Sequence, residues 1–163
     1  MVRVVEALLA AGFSELSEER LGQLLQHIDR RIRNEAQWEL AHRGQITPFV
    51  ELIAQPEAGT LPRLHAVWGL GQAARLNSAV RDSIAASIDA ALGDDDLNIR
   101  AAAAGVVGDL KLEAFGSDLV GLIGDPEARV QYAACLAVGQ LQLASGLLPT
   151  LQMLEANRDQ DPG

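Results

Sequence analysis

The stretch LGDDDLNIRAAAAGVVGDL at residues 92–110 is matched by IGDPEARVQYAACLAVGQL at residues 123–141, at an offset of 31 residues. In both copies a turn with acidic residues precedes an aliphatic residue, and small or apolar residues then recur at matching positions. Positions that are three, seven and eight residues apart lie on one face of an α-helix. The match therefore predicts an internal repeat whose helices share one buried face.

Two earlier copies have the same register. Arg33 and Arg63 begin them, at the position of Arg100 in the third copy, and the spacings between successive copies are 30, 37 and 31 residues. In each copy a small residue follows three and eight positions later, which permits close packing between helices. Another segment with helical apolar periodicity precedes each copy, so the repeating unit is predicted to be a helical hairpin.

The helices follow from this periodicity and from the Gly and Pro residues that interrupt it. We predict a leading helix at 2–11, paired helices at 17–27 and 30–43, 46–55 and 60–75, 77–92 and 96–111, 116–123 and 126–141, and a last helix at 145–157. A single domain, 1–163, then comprises units at 17–43, 46–75, 77–111 and 116–141 and an incomplete unit at 145–163. The composition agrees with an all-α class, since aromatic residues make up only 4% and Ala and Leu dominate.

An acid in the turn is followed by Ile99-Arg100, Ala103 and Val107-Gly108. This order of residues resembles HEAT repeats. The resemblance covers nearly the whole chain. It implies a right-handed α-α superhelix, a HEAT-like solenoid of about four helical hairpins plus terminal helices. Such stacks offer a long binding groove, so it also implies a non-catalytic scaffold for a protein partner or for flanking domains of the same polypeptide.

Three segments, 35–41, 63–71 and 154–162, resemble, more narrowly, the HEAT region of large planctomycete-type proteins. There the repeats lie between a dehydrogenase-like propeller and a c-type cytochrome domain, which implies the cell envelope or periplasm. This chain has no Cys-x-x-Cys-His motif for haem attachment, since it has one cysteine. The resemblance therefore implies that any redox activity belongs to other domains. The alternative is a likeness to the phycobilin lyases, HEAT proteins whose groove holds a tetrapyrrole.

Two motifs imitate ligand sites. Residues 69–74, GLGQAA, match a dinucleotide fingerprint, but they lie inside a predicted helix and not between a strand and a helix. Asp94-x-Asp96-x-Asn98 imitates the start of a calcium loop, but its sixth and twelfth positions are Ile99 and Gly105. We expect the acids to cap the following helix. No catalytic, cofactor or metal site is predicted.

Five residues stand out in the repeat register, and His65 stands out beside them. Arg33, Arg63 and Arg100 are predicted to form a ladder of charge-assisted hydrogen bonds between repeats. Trp38 and Trp68 each follow an Arg by five residues, and we predict that they are substantially buried and pack between repeats. His65 is expected to line a surface or groove or to hydrogen-bond a neighbouring loop. The single cysteine, Cys135, is predicted to be buried and inert, because it lies on an apolar helix.

The charge distribution disfavours nucleic acid as a partner. The net charge is −9, with 7 acids and 6 arginines in residues 1–50 and 15 acids against 7 bases in residues 51–163. The uncharged run 130–154 is long enough to cross a bilayer. Glutamines, Gly146 and Pro149 interrupt it, so two amphipathic helices are predicted there and no membrane span.

The last predicted helix has no partner helix. Asp161-Pro162 repeats Asp125-Pro126, and the sequence given stops before another helix begins. We therefore predict a fragment of a longer solenoid, with the last helix packed on the preceding repeat through its leucines on one side only. The uncovered side is expected to promote self-association.

Overall fold

The computed structural model describes residues 2–158, with side chains from residue 5 onward, and every regular element in this range is helical. The α-helices are α1 Val2–Ala11, α2 Glu18–Leu24, α3 Arg30–Arg43, α4 Thr47–Ile53, α5 Thr60–Leu76, α6 Ala85–Leu92, α7 Leu97–Leu110, α8 Gly116–Leu122, α9 Ala128–Gln140 and α10 Leu147–Ala156. Short 3-10 helices lie at Pro56–Ala58, Ser78–Val80, Asp82–Ile84, Glu113–Phe115 and Ala144–Gly146. The all-α class is confirmed. Asp161-Pro162 lies outside the described residues.

One predicted helix, 77–92, is wrong in its first half. Asn77 has an extended backbone, and its side chain accepts a hydrogen bond from the Ala79 amide, so two 3-10 turns form before α6 begins at Ala85. An asparagine side chain that bonds the backbone two residues ahead competes with helical hydrogen bonding.

Side-chain caps fix several helix starts. The Asp29 carboxylate accepts from the Arg31 amide at 2.9 Å and begins α3, and the Asp96 carboxylate accepts from the Asn98 amide at 2.8 Å and begins α7. The predicted capping role of the turn acid is confirmed at Asp96. An aspartate at this position satisfies a backbone donor and complements the helix dipole.

Helices α3, α7 and α9 end in the same way. Gly44, Lys111 and Gln142 each have a positive φ, and the amide of the next residue donates back to a carbonyl of the last turn. This arrangement satisfies carbonyls that would otherwise lack partners. Lys111 and Gln142 adopt a backbone conformation that glycine adopts more easily.

The chain divides into two compact units, residues 1–91 and 92–163. In the first unit α2 packs against α3, α4 packs against α5, and α3 packs against α5. Large side chains without exposed surface fill this core: Leu21, Leu25, Ile32, Leu40, Phe49, Val67 and Leu70. A Cβ built on Gly69 would lie 2.9 Å from Phe49 Cδ1, so glycine permits this contact between α5 and α4.

In the second unit, α9 packs against both α7 and α8, and α10 follows. Ile99, Val107, Leu119 and Val130 are fully buried there. Gly108 brings α7 close to α9, since a Cβ at this position would lie 2.8 Å from the Ala137 Cα. The predicted close packing through small residues is confirmed at this crossing.

Candidate binding surface

Trp38 and Trp68 lie at equivalent positions on the packed helices α3 and α5, with 54% and 44% of their surface exposed. The prediction that both are substantially buried is wrong. A residue five positions past the register arginine lies about 140° around the helix, whereas the buried stripe follows spacings of three and seven. Both indole rings are therefore directed away from the core stripe, and Leu61, seven residues before Trp68, is exposed on the same side of α5.

A buried hydrogen-bonded chain lies beside this surface. His65 Nδ1 is 2.8 Å from Gln37 Oε1, and Gln37 Nε2 donates to Gln72 Oε1 at 3.1 Å. His65 and Gln37 are buried, and the chain joins α3 to α5. Because the Gln37 amide nitrogen is the donor to Gln72, its oxygen accepts from His65, so the neutral imidazole carries its proton on Nδ1.

His65 also supports Trp68. The two rings meet edge to face, with centroids 5.7 Å apart and planes at 80°. Burial, and to a smaller extent the positive charges of Arg33 and Arg30, together lower the pKa of His65 to about 4. The ring is therefore neutral near pH 7. His65 is thus not a surface residue, and it bonds a neighbouring helix where a loop was expected.

The sequence prediction did not include Gln37 or Gln72. A signal for Gln37 exists, because the matching positions in the other copies are Val67, Ala104 and Cys135, none of which is a charged or amide residue. A polar residue at a core position indicates a buried hydrogen bond.

Two of the register arginines, Arg33 and Arg63, donate to backbone carbonyls. Arg33 Nη1 donates to the carbonyls of His27 and Ile28 at 2.7 and 2.9 Å, and Arg63 donates to that of Ile53 at 3.0 and 2.9 Å. These acceptors lie at or just after the end of the preceding helix, within the same predicted repeat. For Arg33 the predicted ladder between repeats is therefore wrong. Cationic side chains near a helix end complement its dipole.

The Asp29 carboxylate, which caps α3, also pairs with Arg31 at 2.7 Å. The side-chain and backbone hydrogen bonds from Arg31 lower the pKa of Asp29 to about 2.

Arg100 does connect two copies of the repeat. Its Nε and Nη2 donate to the two carboxylate oxygens of Asp125 at 2.9 and 3.0 Å, and Nη1 donates to the Asp94 carbonyl at 2.7 Å. Burial alone would raise the pKa of Asp125, but the hydrogen bonds from Arg100 and from the Glu127 amide outweigh it, so the pKa is lowered. The predicted ladder is present at this step.

Cys135 is half-buried, and the Thr150 hydroxyl lies 3.7 Å from its sulfur. The prediction that it is buried is wrong, because α9 leaves one side uncovered. Between residues 5 and 158, no cluster of three His, Cys, Asp or Glu side chains has metal-binding geometry. Within the described part of the chain no helix is both long and apolar enough to cross a membrane.

None of the protein-family models matches this chain, and a search of the curated proteins found no match.

Proposed function

We propose that this chain is a non-catalytic scaffold of the HEAT-repeat type, a right-handed superhelix that binds a protein partner. Its binding site would be the tryptophan face, defined as Trp38, Trp68 and Leu61. The observation that carries the proposal is the exposure of two large aromatic side chains at equivalent repeat positions. Tryptophan dominates the energetics of protein interfaces, and exposed apolar patches mark interaction sites.

The packing within each unit supports a repeat stack. Arg129 donates to Asn98 at 2.9 Å and Gln140 donates to Asp109 at 3.2 Å, and both pairs are 31 residues apart. Since the separation is the same in both pairs, α7 and α9 run parallel and are offset by one repeat. In the first unit, Gln37 forms hydrogen bonds with His65 and Gln72, which follow it by 28 and 35 positions. These separations lie on either side of the repeat spacing of 30.

The tryptophan face has a fixed base. Gln37 and Gln72 connect α3 to α5, and the rings of His65 and Trp68 meet edge to face. A surface whose side chains are already held in place loses less entropy on binding, which favours affinity. The acidic net charge supports a partner other than nucleic acid.

A tetrapyrrole is the second candidate ligand, because half-exposed indole rings also suit stacking on a planar aromatic molecule. The tryptophans are the only two in the chain, so their fluorescence reports on both candidates.

The test begins with capture of partners from the native lysate and continues with each purified partner. We expect a direct partner to shift the tryptophan emission and to shield it from acrylamide. The double variant Trp38→Ala, Trp68→Ala should weaken binding at least about a hundredfold, which corresponds to roughly 3 kcal/mol. Leu76→Ala is the matched control, since Leu76 is an exposed apolar residue of the same helix α5 outside the tryptophan face.

Equal loss of binding in the control and in the double variant would contradict the tryptophan face as the site. Saturable binding of a bilin or haem, in the absence of any direct protein partner, would replace the scaffold proposal with the tetrapyrrole one.

A further inference from the structure

Helix α9 leaves uncovered the face that its repeat equivalent, α7, buries. Ala101, Ala104 and Gly108 of α7 are buried, and the residues 31 positions later are Tyr132, Cys135 and Gly139. Tyr132 is 65% exposed, Cys135 is half-buried, and a Cβ on Gly139 would meet nothing within 4 Å. Helix α9 covers this face of α7, whereas the corresponding face of α9 stays largely exposed.

Helix α10 shows the same incompleteness. Ile123, at the end of α8, is 2% exposed, whereas Leu154, its equivalent 31 residues later, is 56% exposed. All ten residues of α10 are described, and none of them is buried. Leu147, Leu151 and Leu154 are four and three residues apart, so they form one apolar stripe along the helix.

The two helices border a single open cavity of about 350 Å³. Residues from both contribute to its wall, including Cys135, Val138, Gly139, Leu147 and Thr150. We name Tyr132, Cys135 and Gly139 of α9 together with Leu147, Leu151 and Leu154 of α10 the uncovered face.

We propose that the uncovered face binds the same face of a second copy of this chain, forming a two-fold symmetric dimer. A two-fold interface requires a patch that complements itself, because each residue meets the same surface in the partner. The uncovered face satisfies this requirement, since the run Val130–Leu154 contains no Asp, Glu, Lys or Arg. It is apolar and has no like charges to repel each other.

Electrostatics also favours this surface over others for self-association. Each copy has a net charge of −9, so two copies repel each other on average. Contact through an uncharged patch keeps the acids of both copies in solvent, whereas the start of the chain exposes Glu6, Glu15 and Glu19. A contact between those acids of one copy and the α10 leucines of another would bring charges against apolar side chains at a desolvation cost. The symmetric pairing avoids this cost.

Sedimentation equilibrium over a range from low micromolar to several hundred micromolar protein tests the proposal. We expect a monomer–dimer equilibrium in the unmodified protein. Leu151→Glu should raise the dissociation constant at least about tenfold, because it introduces paired negative charges into the interface. Leu76→Glu is the matched control, since it adds the same charge at a similarly exposed leucine in the first unit.

Cys135 provides a second measurement, because it is the chain's only thiol and lies in the uncovered face. Its reaction rate with a thiol reagent should fall as the protein concentration rises, and this protection should disappear in Leu151→Glu. Circular dichroism of both variants confirms that each is folded.

A protein that stays monomeric over the whole range overturns the proposal. Its uncovered face would then belong to a further helical hairpin of a longer polypeptide or to a different protein. A dimer that tolerates Leu151→Glu and leaves Cys135 fully reactive also overturns it. These outcomes are independent of the tryptophan face, which lies in the other unit.

Discussion

Two glycines of α7 have opposite surroundings although they are three residues apart. A Cβ on Gly105 would meet nothing within 4 Å, whereas a Cβ on Gly108 would lie 2.8 Å from the Ala137 Cα and 2.9 Å from its Cβ. Neither glycine has a positive φ, so alanine fits the backbone at both positions. The two alanine substitutions should therefore differ in their effect on stability because of the space around the added methyl group.

We expect Gly105→Ala to raise the free energy of unfolding by about 0.5–1 kcal/mol, because alanine loses less backbone entropy in a helix. Gly108→Ala should lower it by about 1–3 kcal/mol, because α7 and α9 would have to separate. Urea unfolding monitored by circular dichroism measures both changes. Equal effects at the two positions would contradict the close crossing of α7 and α9.

His65 makes stability depend on pH. Its pKa is about 4 in the folded protein and 6.5 for an unperturbed histidine, so the unfolded chain binds the proton more tightly. The free energy of unfolding should therefore rise between pH 4 and 6.5 and level off above, by at most about 3 kcal/mol.

The change His65→Gln should flatten this rise, because glutamine keeps a hydrogen bond to Gln37 within reach but has no titratable group. Thermal unfolding at several pH values between 4 and 7 compares the two proteins. An unchanged pH profile in the variant would mean that another group causes the dependence.

At the scale of the elements, Arg100 joins α7 to the turn before α9. The pair with Asp125 has two hydrogen bonds, and the Asp125 carboxylate is nearly buried. We expect Arg100→Ala to cost about 3 kcal/mol at pH 7, because it leaves a buried carboxylate without its partner. Arg100→Lys should lower the free energy of unfolding less than Arg100→Ala does, because lysine keeps the positive charge. It should still destabilise the protein, because lysine lacks the planar guanidinium that bonds both carboxylate oxygens.

A double-mutant cycle isolates the pair. With Asp125→Asn already present, Arg100→Ala should cost only about 1 kcal/mol, the contribution of the remaining carbonyl contacts. Because the pKa of Asp125 is lowered, stability from the pair is present above pH 3.8 and is lost as the pH falls through the folded-state value. Equal costs in the two backgrounds at pH 7 would exclude a strong coupling.

The elements that the sequence predicts well are those with local causes. Periodicity and turn residues place α1 at Val2–Ala11, and the acid at position 96 caps α7. The repeat register of Arg100 similarly indicates a bond to the next repeat, where Asp125 lies in the turn before α9. The first two depend on residues close in sequence, whereas Arg100 and Asp125 are 25 positions apart and are related only through the repeat.

The errors come from properties that the repeat pattern does not contain. Trp38 and Trp68 share a register, but the pattern does not say which sector of the helix surface a neighbour covers. The bond from Gln37 to Gln72 joins residues 35 positions apart, and nothing local to either residue selects the other. The candidate binding surface therefore required the three-dimensional packing.

At the scale of the molecule, burial is uneven along the second unit. Eight residues of α7 are buried, four of α9, and none of α10. Helices held by few buried contacts open at lower free energy than those at the centre of a core. The order of local stability should therefore be α7, then α9, then α10.

Amide hydrogen exchange followed by mass spectrometry checks this order. At low micromolar protein we expect the amides of α10 to exchange at least about a hundredfold faster than those of α7, since opening free energies within one protein range from near zero to the global value. Exchange in α10 as slow as in α7 at this concentration would contradict the order. Dimer formation would have a different effect on the exchange rates. A second copy bound to the uncovered face would slow amide exchange in α9 and α10 only, and this slowing would increase with protein concentration. The rates at the lowest concentration thus report on the fold of one chain, and their change with concentration reports on the second copy.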